Sequence, residues 1–173
     1  MHRQTFLDRV THSAEEIPGV DAMATRDALR LHDIHRRLDK LYEKHLEQFG
    51  LSPRRLEILE ELYHHDGQAM TPAELAETVS VTRAAMTGNL DRLERLRYVR
   101  RGPHPHDRRS VLVHLTAEGA AFLKPVLEDR YRKGARIISC LTPVERTTML
   151  EYYQRILHAI TQELESAPRH DDE

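Results

Sequence analysis

The chain has 173 residues, 39% of them hydrophobic and 31% charged, with a net charge of −2. That suits one medium domain with a single core and much solvated surface, mainly α in class. Its one cysteine, Cys140, excludes an internal disulfide and a thiolate zinc finger, and no apolar run nears the roughly 20 residues that span a bilayer or form a signal core, so the expectation is a cytoplasmic protein without membrane contact.

Residues 1–19 read as an extra N-terminal helix and turn. Phe6, Leu7 and Val10 give residues 4–16 an apolar side, and Ile17-Pro18-Gly19 closes it. Residues 20–50 hold a first long helix, predicted over about 25–48. Leu31, Ile34, Leu38, Leu41 and His45 are spaced 3-4-3-4 along it. That is the seam of a helix packed along another, in an ordinary core or, given the length and flanking charges, at a subunit interface.

Residues 51–116 carry the compact centre of the chain. Ser52-Pro53, Thr71-Pro72 and, later, Thr142-Pro143 each place a hydroxyl at the N-cap and proline at the first helical position. Thr71 with Glu74 and Thr142 with Glu145 are capping boxes. The predicted helices cover about 53–65, 72–79 and 143–165.

Leu75 to Thr82 then joins two short helices through a tight turn. Ala76 is small where the second helix crosses, and Val79 and Val81 bury the turn. Ser80 sits where such units often place glycine, a departure that is harmless if its backbone avoids positive φ. The second helix, residues 82–96, is expected to bury Ala85, Met86, Leu90, Leu93 and Leu96. Its exposed side offers Thr82, Arg83, Ala84, Thr87, Gly88 and Arg92, with Asp91 beside them.

A hairpin follows at once: Tyr98-Val99-Arg100-Arg101, a turn from Gly102 to Asp107, then Arg108-Arg109-Ser110-Val111-Leu112-Val113-His114-Leu115. Val111, Val113 and Leu115 alternate inward. The tip, stiffened by Pro103 and Pro105, presents His104, His106, Arg108 and Arg109.

A helix for the major groove beside an arginine-tipped hairpin for the backbone or minor groove is a device for reading double-stranded DNA. Arg83 suits guanine or phosphate, Thr87 base or backbone, Ala84 a thymine methyl, and Gly88 allows close approach. Asp107 is odd against phosphate and is expected to brace the turn or a neighbouring arginine. From 82 to 110 there are eight basic and three acidic residues, a local +5 that leaves −7 for the remainder. Phosphates respond to that local charge, because screening limits its reach to about 8–10 Å.

Residues 117–165 supply two more long helices. Thr116 opens the first, to about Cys140, with Leu123, Leu127, Tyr131 and Ile138 on one face. The second repeats Leu150, Tyr153, Leu157, Ile160 and Leu164 at 3-4-3-4 spacing. These stripes exceed what one small reader can cover, so pairing with a second copy is the economical solution. Residues 166–173 read as a flexible polar tail.

Over residues 29–164 the chain resembles the MarR family of winged helix-turn-helix regulators. The most specific match is Asp107-Arg108-Arg109-Ser110 before Val111-Leu112-Val113-His114-Leu115-Thr116-Ala117-Glu118-Gly119, joined by Leu90-Asp91-Arg92-Leu93-Glu94. The resemblance implies a winged helix-turn-helix core between long dimerisation helices. It implies a homodimeric repressor of a palindromic operator, released by a small aromatic or phenolic ligand. The family's wing aspartate falls on Asp107, and its minor-groove arginine, held by an acid, on Arg109.

The resemblance also places an effector pocket between the first long helix, the next helix and the helix after the wing, where His35, Arg36, Glu57 and Tyr63 are candidates. Arg36 suits a bidentate carboxylate, and equally a solvated surface. The extra N-terminal helix is similar to that of the family's urate-responsive branch. Glu57 matches that branch, but its tryptophan is absent and Asn89 replaces its recognition-helix arginine.

Twelve histidines invite a metal site, yet His32/His35, His64/His65 and His104/His106 are pairs without a third ligand, so no metal and no cofactor are expected. Cys140 reads as a buried structural thiol. A metal- or redox-responsive regulator of the same fold is the alternative. A histidine/acid hydrolase lacks any nucleophile, phosphate-loop or metal motif, so no enzyme activity is expected.

Overall fold

Polar side chains set where the helices begin. The computed structural model describes residues 5–65, 69–107 and 109–166. Seven helices and one hairpin follow in the order α1 (Phe6–Glu15), α2 (Ala22–Glu47), α3 (Pro53–His64), α4 (Pro72–Thr78), α5 (Arg83–Arg95), β1 (Val99–Pro103), β2 (Val111–Leu115), α6 (Ala117–Ile138) and α7 (Pro143–Ser166). Thr5 and Asp8 make a capping box for α1, and Thr71 and Glu74 one for α4. The Thr142 hydroxyl accepts from the Glu145 N–H at 3.3 Å, while the Thr142 N–H donates to Glu145 Oε2 at 2.7 Å.

The long helix starts earlier than its periodicity suggests. Asp21 Oδ1 accepts from the backbone N–H groups of Met23 and Ala24, at 2.9 and 3.0 Å. The cap lies ahead of the first seam residue, so apolar spacing alone misses it.

The chain divides into two compact units, Met1–Leu123 and Lys124–Glu173. In the first, Leu56, Ile58, Leu59 and Leu62 of α3 are buried together with Leu75 of α4 and Met86, Leu90 and Leu93 of α5. α1 packs on α2, tied by Arg26 Nη2 to Asp8 Oδ1 at 3.2 Å. In the second unit Val126 and Leu127 are buried, but no described residue of α7 is. No helix of the described residues is long and apolar enough to cross a membrane.

The hairpin pairs β1 with β2 antiparallel, Val99 opposite Leu115 and Pro103 opposite Val111. Met70 adds an outer rung. Its N–H donates to the Val113 carbonyl at 3.1 Å, and the Val113 N–H returns to the Met70 carbonyl at 2.7 Å. Val113 is fully buried for that reason, whereas Val111, expected inward, is 42% exposed. It shares the inward face but lies toward the tip, past the core that would cover it.

Other expectations also shift. Ala85 is exposed, because it stands about 100° round the helix from Met86. Tyr131 is exposed rather than on a buried stripe. Cys140 is an exposed free thiol, lying in the turn after α6 ends at Ile138. The tail reading concerned residues 166–173. Ser166 belongs to α7, and 167–173 lie outside the described residues.

Candidate nucleic-acid interface

Two helix endings hold the reading element in shape. At the end of α4 the Ser80 N–H donates to the Glu77 carbonyl at 3.1 Å and the Val81 N–H to the Ala76 carbonyl at 2.9 Å. At the end of α5 the Arg97 N–H reaches the Glu94 carbonyl at 2.9 Å and the Tyr98 N–H the Leu93 carbonyl at 3.0 Å. Both are Schellman endings, which need a left-handed residue just past the cap. Ser80 and Arg97 supply it, with φ of +53° and +61°. Ser80 therefore does not avoid positive φ: the 6→1 and 5→2 bonds impose it despite the Cβ, at a cost of about 1–2 kcal/mol.

Arg54 of α3 supports the same turn. Its Nη1 donates to Glu57 Oε2 at 2.6 Å and also to the carbonyl oxygen of Val79. Glu57, expected in an effector pocket, here orients the arginine that steadies the helix-turn-helix.

Beyond the turn, Thr82, Arg83, Ala84, Thr87, Gly88 and Arg92 are all exposed along α5. The Thr82 hydroxyl accepts from the Ala85 N–H at 3.2 Å, a bond that leaves its own proton for an outside acceptor. The Thr87 hydroxyl donates to the Arg83 carbonyl at 3.0 Å, so toward an outside group it is set to accept. A Cβ built on Gly88 would meet nothing within 4 Å. Packing does not require that glycine, although it costs a helix about 0.5–1 kcal/mol relative to alanine. The space beside it is open.

The wing is fastened to both neighbouring helices. Arg101 donates from its backbone N–H to Glu94 Oε1 at 3.0 Å, from Nη1 to Glu94 Oε2 at 2.6 Å and from Nη2 to Asp91 Oδ1 at 2.8 Å. On the other side the Thr116 hydroxyl donates to the Arg97 carbonyl at 2.7 Å and accepts from the Gly119 N–H at 2.9 Å. Gly119 comes so close that a Cβ there would stand 2.2 Å from the Tyr98 carbonyl oxygen. The Tyr98 and Phe122 rings stack at 4.2 Å over this joint.

At the tip, Asp107 Oδ1 accepts from the Arg109 N–H at 2.9 Å, and the Ser110 N–H donates to the Asp107 carbonyl at 3.1 Å. The aspartate thus bonds the backbone of the turn, which delays β2 until Val111 and leaves Arg109 exposed. The His104 N–H closes the hairpin on the Ser110 carbonyl at 3.3 Å, and His104 Nδ1 accepts from the His106 N–H at 3.2 Å. Arg108, also expected at this tip, lies outside the described residues.

Two ionisable groups frame the wing. Hydrogen bonds from the backbone and hydroxyl of Thr71 hold the Glu74 carboxyl below the usual carboxylate range, aided by the charges of His65 and His104. Burial pushes the pKa of His114 down, and the facing Arg100 adds to the effect.

The effector candidates are more scattered. Arg36 pairs with Asp33 and lines a cleft of about 470 Å³ between α1 and α2, walled by Phe6, Leu7, Leu29 and His32. His35 is half-buried on α2, and Tyr63 rests edge-on against His64 at 5.2 Å. Neither they nor Glu57 line that cleft. Among the described residues no three histidine, cysteine or acidic groups gather as a metal site.

Arg101, Arg54 and Gly119 are the structural contributors that sequence reasoning left out. The acids at 91 and 94, about one turn apart on an otherwise basic helix, were the available signal for Arg101.

A model of the MarR family matches residues 49–110, the stretch from the end of α2 to the wing tip. The HTH-type transcriptional repressor YetL of Bacillus subtilis is 31% identical over 137 residues, 79% of this chain and 82% of its own. The crystal structure of AbsC, a MarR family transcriptional regulator from Streptomyces coelicolor, is 27% identical with a TM-score of 0.70, covering 79% of this chain and 94% of that one. The chain belongs to the MarR family. It is a MarR-family transcriptional regulator rather than an enzyme. A cysteine mutant of Escherichia coli MarR, solved in complex with operator DNA, has the same fold at 28% identity and a TM-score of 0.62, covering 75% of this chain and 92% of that one. The MarR fold thus accounts for the mainly α, winged helix-turn-helix architecture seen here.

Proposed function

We propose that this regulator is a cytoplasmic homodimer that represses by holding a palindromic operator, with α5 in the major groove and the wing tip on the backbone or in the minor groove. The observation that carries the reading is the exposed side of α5. Arg83, Ala84, Gly88 and Arg92 are exposed there and stand on the helix that leads into a wing whose Arg109 is exposed at the tip. Thr82, Thr87, His104, His106 and Arg108 complete the proposed contact set, and Asp107 shapes the turn that presents it. The operator complex of Escherichia coli MarR, of the same fold, supports DNA as the partner.

The exposed apolar stripes support pairing. Ile34, Leu38 and Leu41 on α2, and Leu150, Leu157, Ile160 and Leu164 on α7, are all more than half exposed in one chain. Two copies present two α5 helices, which suits half-sites about one helical turn, or roughly 34 Å, apart. A small aromatic or phenolic ligand relieves repression in this reading. Arg36, with an apolar wall beside it, is the residue best placed to receive a carboxylate, while His35, Glu57 and Tyr63 remain the other ligand candidates.

Fluorescence anisotropy on DNA from upstream of the chain's own gene tests this. Binding should require two chains per site and weaken steeply with salt, with a log–log slope of about −0.9 per phosphate engaged. Phenolic acids should raise the melting temperature and release the DNA. Absent or salt-insensitive binding would remove the reading. Stabilisation by divalent metals alone would replace the aromatic ligand with a metal.

A further inference from the structure

Two carboxylates stand on the helix that must meet a polyanion. Asp91 and Glu94 lie near the exposed side of α5, 51% and 38% exposed, and uncompensated they would repel phosphate. Both are held by one residue, Arg101 of β1. Its guanidinium reaches Glu94 at 2.6 Å and Asp91 at 2.8 Å, and its backbone N–H adds a third bond to Glu94 at 3.0 Å.

Position along the wing gives this clasp its leverage. The Tyr98 N–H bond to the Leu93 carbonyl fixes where the strand leaves α5, and Arg101 ties the strand again three residues further out. Toward the tip from this rung, where Arg101 faces Val113, the hydrogen bonds of the described residues stay within the hairpin: His104 to Ser110, Ser110 to Asp107, His106 to His104 and Arg109 to Asp107. The direction of the tip relative to α5 is therefore set at this rung, by Arg101 on β1 and by the Met70–Val113 pair on β2, and Arg101 is the tie that runs directly to α5. A planar guanidinium suits the task, since its fork can hold two carboxylates in fixed directions where an ammonium offers one point charge.

We propose that Arg101 is a positioning residue for DNA reading: clasped by Asp91 and Glu94, it fixes the wing on the recognition helix and offsets part of that helix's negative charge, without itself touching DNA. The inference rests on the use of α5 and the wing as the DNA reader.

Paired Asp91→Asn and Glu94→Gln substitutions give a test of sign. Removing two negative charges and freeing a cation beside DNA should strengthen binding if charge alone matters. A positioning role predicts the opposite, a loss of about tenfold, because misplacing the contacts outweighs the charge gained. The salt slope should stay at the wild-type value, and amide exchange at Arg100 and Arg101 should quicken in the free protein. Arg101→Met should also lose affinity at unchanged slope, and Arg101→Lys should not restore it.

Stronger binding by the carboxamide pair would overturn the proposal. So would unchanged hairpin exchange, or a slope reduced by about one in Arg101→Met, the mark of a direct phosphate contact. Arg109→Ala, run alongside, separates the two levels. If it binds like wild type, the wing reading of DNA fails, while the exchange measurement still decides whether Arg101 tethers the wing. The carboxamide pair keeps side-chain volume but leaves one acceptor oxygen at position 94 where the clasp uses two, so it loosens the clasp without a cavity and the test survives if Arg101→Met does not fold.

Discussion

The reading element and α7 are finished to different degrees within one chain. From α3 to the start of α6, buried leucines, two Schellman endings, a capping box and the Arg101 clasp satisfy nearly every demand locally. α7 has an N-terminal cap of equal quality but no buried described residue, and Leu157 and Leu164 are 64% and 72% exposed. Local rules of helix formation are thus met in both regions, and burial in only one. A helix of this length draws most of its stability from an apolar face that is covered. The reader is shaped by its own chain, whereas α7 leaves its apolar residues uncovered, which fits the proposed pairing with a second copy.

Breaking the proposed partnership should have the largest effect. Leu157→Lys with Ile160→Lys should yield monomers in sedimentation and weaken operator binding by about 10²–10⁴-fold, the advantage of two linked contacts over one. Retention of a dimer with normal affinity would show that α7 is covered in some other way.

Next comes the joint at the end of the reader. Gly119→Ala puts a carbon into the Tyr98 carbonyl and should cost about 2–3 kcal/mol in chemical denaturation, because backbone there cannot yield as a side chain would. A stability within experimental error of wild type would mean that the joint is looser than its geometry. Arg109→Ala is milder: about tenfold in DNA affinity with the salt slope reduced by about one, at unchanged dimerisation.

Gly88→Ala should split stability from function. The helix should gain about 0.5–1 kcal/mol while DNA binding weakens, and a gain in both would mean that no groove wall approaches there. His114 gives the smallest signal. Burial, with Arg100 facing it, holds its folded pKa below the ordinary histidine value of about 6.5, so the unfolded chain binds the proton first. The stability it contributes is present above that value and is lost as pH falls below it. His114→Phe should flatten the melting temperature between about pH 7 and pH 5.

The parts of this fold that sequence showed were those governed by neighbours along the chain. Ser52, Thr71 and Thr142 announced their helices because capping acts within three residues, and the wing's alternation placed Val113 inside. What escaped depended on distant groups or on backbone bonds that residue type does not announce. Val111 needed to know where the core stops, and Ser80 was pressed to positive φ by hydrogen bonds to the helix before it. Asp107 was expected to hold an arginine or the turn, and its carboxylate takes the Arg109 backbone N–H. The clasp itself belongs to Arg101, seven and ten residues from its partners. The four effector candidates came from different places along the fold, and the cleft between α1 and α2 is lined by Arg36 but not by the other three.

Hydrogen exchange on the full chain, with and without its own promoter DNA, tests the central claim most directly. Protection concentrated in α5 and in residues 100–115, with α7 unchanged by DNA, is the predicted result. Protection confined to other elements, or none at saturating DNA, would contradict a helix-and-wing reader.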